Sequence, residues 1–217
     1  MSKLINKLIL ASTSSYRAQM LIKCGLTFEQ IDPRFDETEL DDELPDRAAI
    51  RLAQGKADAV ANRLKVEAPT ESSEEQAMVI IGCDQIASLQ GRKLGKPGTG
   101  DRAIEQLTNC SGKWVSFYTG LHLIHFPGVQ SNLGKNTCEA QSYLEEFSVK
   151  FRTLSRIEIT NYVEMDQPLD CAGSFKAEGL GLTLFDDMKG RDINTLYGLP
   201  MLALLKYLRN YGINTLL

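Results

Sequence analysis

The run "MVIIGC" (78–83) leads directly into an acid and an amide, Asp84 and Gln85. A carboxylate at the edge of a buried apolar run can position and deprotonate water, the work of a general base. A short segment later "GKP" holds Lys96 between permissive Gly95 and rigid Pro97, which would fix its direction, with a simple turn lysine as the alternative. In "RAAIRLAQGKADAVANRL" the helical angle of about 100° per residue puts Ala49, Leu52, Ala53 and Val60 on one face. Lys56 projects from the middle of that face. Either its stem snorkels out along the apolar surface, or the helix borders a cleft and Lys56 points at a bound anion such as phosphate.

"LILASTSSYRAQML" passes from an apolar run through four hydroxyl residues, Ser12 to Ser15, into helical spacing. That places free backbone N–H groups and hydroxyls where an anion can sit, although a well-capped helix reads the same way. Arg17 adds a cation to the first helical turn, where the helix dipole repels it; it calls for an anionic partner, a ligand or a protein carboxylate. Most of the acids in "DPRFDETELDDELPD" read as solvated charge, but Asp36 and Glu37 follow the first strand–helix unit closely enough to face the same cleft. In the glycine-bounded "DCAGSFKAEGLG", Lys176 and Glu178 share one side if the segment is extended, and a structural hairpin is the alternative. His122 and His125 have opposite parity in a strand, so they do not share a metal.

These residues need a scaffold. "KLILAS", "MVIIGCD" and "VSFYTGLHLIHF" read as strands. "SSYRAQMLIKCG", "LPDRAAIRLAQGKADAVANRLK", "TGDRAIEQLTNCSG", "SRIEITNYVEM" and "LPMLALLKYLRNYG" carry helical spacing. The alternation predicts an α/β fold in one domain, residues 1–217, without a linker long enough to separate two. Ligands of open α/β sheets bind beyond the carboxyl ends of strands, which places Asp84 and Gln85 at the lip of a cleft. The polar stretches 66–77 and 127–141 read as surface insertions.

Composition narrows the partners. The 24 basic and 28 acidic residues give a net charge of −4, without the dense basic run that binds nucleic acid or an anionic membrane. Any anion must be held by a few placed residues. Five scattered cysteines, never in a C-x-x-C pair, predict free thiols in a reducing compartment. "LILA" is too short for a signal-peptide core and nothing later approaches a membrane span, so the expected location is the cytoplasm.

Taken together, "LILASTSSYR", "DET", "RLAQGKA", "IIGCDQ", "LGKP", "FYTGL", "CAGSFKAEG" and "GRDINTLYGLP" resemble, in order and spacing, the Maf family of nucleotide pyrophosphatases. The resemblance implies a mixed α/β fold related to inosine-triphosphate pyrophosphatases, with a sheet flanked by helices, a deep cleft between two lobes and frequent homodimers. It implies hydrolysis of a nucleoside triphosphate to its monophosphate and pyrophosphate, with Mg²⁺ or Mn²⁺. Carried over residue by residue, Asp84 is the proton acceptor and Ser12, Arg17, Glu37, Lys56, Lys96 and Lys176 hold the substrate. Asp84 and Glu37 are the implied metal ligands.

Gln85 after the aspartate and Glu178 in "KAE" are similar to the subgroup that acts on 7-methyl-GTP, with Tyr16 where that subgroup usually has tryptophan and Cys83 where it has serine. The cationic 7-methylguanine ring suits a facing aromatic such as Tyr16 and a carboxylate such as Glu178. Two alternatives stay open: a Maf pyrophosphatase for unmodified or other modified nucleotides, and a nucleotide-binding regulator of cell division.

Overall fold

The computed structural model describes residues 7–38, 40–67, 77–126 and 138–217, for 65–67 the backbone only. The strands are β1 (Lys7–Ala11), β2 (Glu29–Ile31), β3 (Met78–Leu89), β4 (Arg92–Leu94), β5 (Trp114–Phe126), β6 (Glu139–Phe151) and β7 (Phe185–Lys189). The helices are α1 (Ser15–Lys23), α2 (Pro45–Glu67), α3 (Gly100–Cys110), α4 (Arg156–Asp166) and α5 (Met201–Asn210). Short 3₁₀ turns occupy Leu180–Leu184 and Ile193–Thr195. The mixed α/β class expected from the sequence is therefore what the chain adopts.

One sheet runs β2-β1-β3-β5-β6-β7, with β4 paired to β3 off that path. β1 lies parallel to β2 and β3, and the other pairings are antiparallel. Alternate side chains of β1 supply the two faces. Leu8 and Leu10 pack with Leu21 of α1 and Leu204 and Leu208 of α5, while Ile9 and Ala11 join Ile80 beneath Ala57 and Val60 of α2. A third cluster joins β5 and β6 to α3 and α4 through Phe117, Phe151 and Phe175, whose rings meet edge to face.

α2 comes unusually close to the sheet. A methyl group added to Gly82 of β3 would strike the Ala53 carbonyl, and one added to Gly120 of β5 would strike that of Ala49. Hydrogen at these two positions lets the helix backbone rest on the strands, which fixes the height of every α2 side chain above the sheet.

The expected strand at "MVIIGCD" proves longer, and Asp84 stands inside it rather than beyond its carboxyl end. β1 stops at Ala11, opposite Gly82, whereas β5 continues to pair with β3 as far as Ser88. The backbone bonds of β5 keep the residues after Gly82 extended although one neighbour has gone. Asp84 thus lies two residues past the end of β1, and the carboxyl-end rule holds for β1, not β3.

Strands β2, β4, β6 and β7 went unread in the sequence. Of the expected insertions, 68–76 and 127–137 lie outside the described residues. Val66 and Glu67 end α2, Ala77 is a buried residue leading into β3, and Glu139–Gln141 belong to β6, so those edges are not insertion. "AGSFKAE" is a series of turns instead of an extended segment, with Gly173 and Ser174 both at positive φ. Among the described residues no helix is long and apolar enough to cross a membrane.

Candidate active site

A cleft of about 700 Å³ opens where β1 ends and β3 continues. Ser12, Tyr16, Arg17, Glu37, Lys56, Asp84, Gln85, Lys96, Lys176 and Glu178 all line it, although they come from six separate stretches of chain. Asp36 does not. It is exposed, and its Oδ1 accepts from the N–H and hydroxyl of Thr38 in a local turn.

At the floor Lys56 Nζ donates to Asp84 Oδ1 at 2.6 Å and meets Glu37 Oε1 at 2.9 Å. Lys56 and Asp84 are each only 6% exposed, so the lysine does not snorkel: its ammonium is held within the cleft. α2 supplies the lysine and β3 the acid, and the close packing at Gly82 and Gly120 sets the distance between them. Among the described residues no donor reaches Asp84 Oδ2, which leaves that oxygen for water or substrate.

Arg17 takes a different kind of partner. Its Nε donates to the Gly198 carbonyl at 2.9 Å and its Nη1 to Ser12 Oγ at 3.2 Å. Both acceptors are neutral, so the guanidinium is held in direction without its charge being cancelled. The Ser12 hydroxyl also accepts from the Ser14 N–H, and Ser14 caps α1 by accepting from the Arg17 N–H. The strand-to-helix turn read from the hydroxyl run is thus both a helix cap and a wall of the cleft.

Gln85 is fixed just as firmly. Its Nε2 donates to the Thr195 carbonyl at 2.6 Å and to Thr119 Oγ1 at 3.1 Å. A backbone carbonyl can only accept, so the amide nitrogen must be on that side and Oε1 faces away from Thr195 as an acceptor. On the rim, partial burial and the nearby Glu178 carboxylate push the Tyr16 phenol up to about 12. It stays protonated and able to donate toward Glu178 across the mouth of the cleft.

Two lysines differ in state. Lys96 is exposed beside buried Pro97, whereas Lys176 Nζ donates at 2.6 Å to the carbonyl of Asp166, the last residue of α4. Lys176 therefore lines the cleft with its ammonium anchored on a helix C-terminus, a favourable place for a cation.

The sequence reading missed Arg34, Arg51 and Lys93, which also line the cleft. It took Glu43 for solvated charge, yet that carboxylate is largely buried, bound by Arg51 at 2.7 and 2.8 Å with Lys93 at 3.6 Å. The hydrogen bonds from Arg51 lower its pKa from the usual carboxylate value. His122 bonds Ser142 and His125 stacks on Tyr211, so the two histidines do part to separate surroundings. None of the five cysteines forms a disulfide.

The Maf-like protein family model matches residues 7–211. The chain belongs to the Maf family. Among curated relatives of this Maf chain, a protein of Idiomarina loihiensis named 7-methyl-GTP pyrophosphatase is 44% identical over 209 residues, 96% of each chain. One of Aliivibrio fischeri with the same name is 42% identical over 211 residues, 97% of this chain and 99% of that one. A solved structure described as the Staphylococcus aureus Ham1 protein is a looser likeness, at 15% identity and a TM-score of 0.39 over 88% of this chain and 96% of that one.

Proposed function

We propose that this Maf protein hydrolyses 7-methyl-GTP to 7-methyl-GMP and pyrophosphate, with Asp84 as proton acceptor for the attacking water. The observation that carries the reading is the buried Asp84, one oxygen held by Lys56 and the other open, in a cleft walled by cations. Water attacks the α-phosphorus, its proton passes to Asp84, and the bond to the bridging oxygen breaks so that pyrophosphate leaves with the electron pair. A general base in such a step contributes roughly 10²–10⁴-fold. Arg17, Lys96 and Lys176 hold the phosphate chain and offset the charge that develops on it, with Ser12 as a hydrogen-bonding partner.

A divalent cation fits this donor set. Asp84 and Glu37 are the carboxylates that would hold it: Lys56 Nζ meets one oxygen of each, and their remaining oxygens are hard donors of the kind that suits Mg²⁺ or Mn²⁺. No group of three potential ligands forms among the described residues, so phosphate oxygens and water would complete the shell. When bound, the ion supplies further neutralisation of phosphoryl charge.

Base selection rests on Tyr16, Gln85 and Glu178. Gln85 presents an acceptor because its donors are spent, and guanine offers N–H donors along its Watson–Crick edge. A carboxylate and an aromatic rim at Glu178 and Tyr16 suit the positive charge that N7-methylation adds. The same reading takes residues 1–217 as one catalytic domain acting in the cytoplasm on a free nucleotide, with no nucleic acid or membrane partner.

The test is pyrophosphate release by the purified protein with Mg²⁺ or Mn²⁺ across methylated and unmodified nucleotides. Fastest turnover of 7-methyl-GTP is expected, along with loss of activity in Asp84→Asn. Faster turnover of dTTP, UTP or CTP would refute the substrate assignment. An overexpression effect on cell division that survived Asp84→Asn would favour the regulatory reading.

A further inference from the structure

Gln106 lies on α3, outside the cleft, on a helix anchored by fully buried Ala103, Leu107 and Cys110. Its side chain reaches two loops at once. Nε2 donates to the Gly95 carbonyl at 3.1 Å, and Oε1 accepts from Ser174 Oγ at 2.5 Å. Gly95 immediately precedes Lys96, and Ser174 is two residues before Lys176. The loops also touch through the Gly98 N–H, which donates to the Leu169 carbonyl at 2.9 Å.

The Ser174 end of this bridge is costly to build. Ser174 is completely buried and holds a left-handed backbone at φ 62°, where a non-glycine residue is strained. Its hydroxyl would be an orphan inside the core without an acceptor, and Gln106 is that acceptor. Only a carboxamide of this length offers an acceptor to one loop and a donor to the other. A glutamate would accept from Ser174 but repel the Gly95 carbonyl, and a methionine would fill the space with neither bond.

We propose that Gln106 is a positioning residue that ties the Lys96 and Lys176 loops into one rigid edge for the substrate's phosphates. The inference rests on the reading above that these lysines hold phosphate. Beside the Gly98–Leu169 bond, Gln106 is a second tie between the two loops and the one nearest both lysines, so an anion spanning them gains affinity when their separation is set beforehand. Gln106 touches no substrate itself and acts through the two ammonium groups.

The test is calorimetric titration of inorganic tripolyphosphate into wild type, Gln106→Met, Gln106→Glu, and Lys96→Ala/Lys176→Ala with and without Gln106→Met. Gln106→Met is expected to weaken binding by about tenfold, and Gln106→Glu by at least as much. The affinity for 7-methylguanosine, which lacks phosphate, should stay unchanged, and the orphaned Ser174 hydroxyl should lower the melting temperature of Gln106→Met by about 2–12 °C. If Gln106→Met melts lower than that, Gln106→Glu, which keeps the Ser174 bond, carries the comparison. In the lysine-free background Gln106→Met should have no further effect, which a merely structural role would not predict.

Equal tripolyphosphate affinity in wild type and both Gln106 variants overturns the proposal, as does the same loss with the lysines removed. If wild type binds no tripolyphosphate, the assignment of the lysines to phosphate falls and the proposal with it. Binding that follows these expectations without turnover of 7-methyl-GTP supports the positioning role and removes only the substrate reading.

Discussion

Replacing Lys56 by methionine keeps the unbranched stem under α2 but strips the ammonium from between two carboxylates. Glu37 is 54% exposed at its side chain and regains water, so its pairing with Lys56 contributes little. Asp84 is different, because its side chain is only 9% exposed and, among the described residues, its ion-pair partner is Lys56. Removing one member of a buried pair costs about 3–5 kcal/mol, since the remaining charge has neither partner nor solvent. Arg51 lies near enough for Asp84 to raise its pKa, and that residual attraction argues for the lower end, about 3 kcal/mol. For a chain of this size the melting temperature should fall by about 6–12 °C.

Asp84→Asn leaves the buried Lys56 ammonium still paired with Glu37 and bonded to the amide oxygen, and should cost much less, about 1 kcal/mol. The variant lacking both, Lys56→Met with Asp84→Asn, should match Asp84→Asn alone, giving an interaction energy of about 3 kcal/mol between the two sites. Urea unfolding followed by the fluorescence of Trp114, the chain's one tryptophan, measures all four proteins. A cost below about 1 kcal/mol for Lys56→Met, or a double variant equal to the sum of the singles, would refute the buried-pair reasoning. All three variants should also lose pyrophosphate release.

Gly120→Ala would drive a methyl group into the Ala49 carbonyl, lift α2 and carry Lys56 off Asp84; we expect about 1–3 kcal/mol of destabilisation together with lost hydrolysis, checked by urea midpoints and turnover. The Tyr16 phenol, raised from 10.0 to about 12, contributes stability that is complete below pH 10 and lost as pH rises toward 12. Stability measured across that range should fall less steeply in Tyr16→Phe, and phenolate absorbance should appear at lower pH in Glu178→Gln. Glu158, drawn down to about 2 by the Ser155 N–H and hydroxyl and by Arg152, contributes stability that is complete above pH 4.5 and fades as pH drops toward 2. Circular-dichroism melts between those values should show a flatter acid dependence in Ser155→Ala, which breaks the capping box of α4.

What could be read from the sequence divides along the range of the interaction involved. Lys56 stood out because a cation on an apolar helical face violates a local period, and the structure satisfies it with a buried acid. The hydroxyl run at Ser12–Ser15 announced a strand-to-helix turn through capping chemistry that acts over three residues. Asp84 was legible as an acid after an apolar run, but its depth in the sheet was not, because that depends on where β1 ends rather than on β3 itself. β6 was missed since its acids, Glu139, Glu145 and Glu146, mask the alternation. Glu145 is nearly buried only because Tyr143 and Arg191 bind it, the latter from far along the chain. Glu43 escaped for the same reason: among neighbouring acids only its pairing with Arg51 and Lys93 distinguishes it, and that pairing is tertiary.

The cations of the cleft fall into two groups by what already binds them. Lys56, Arg51 and Lys93 face carboxylates, so their charge is largely answered within the protein, and they orient Asp84 and Glu43. Arg17 and Lys176 are oriented by carbonyl and hydroxyl oxygens instead of carboxylates, which fix direction and leave the charge of Arg17, and beside the α4 C-terminus part of that of Lys176, for an anion. A chain with a net charge of −4 has no general attraction for a polyphosphate, so on the function proposed above selectivity for one rests on this second group, joined by exposed Lys96 and Arg34. An incoming phosphate need not displace these neutral anchors, because the cation can keep its carbonyl partner and still donate from its other N–H groups. Two bonds already aim Arg17, and one aims Lys176, so little side-chain entropy remains to be lost when the anion arrives.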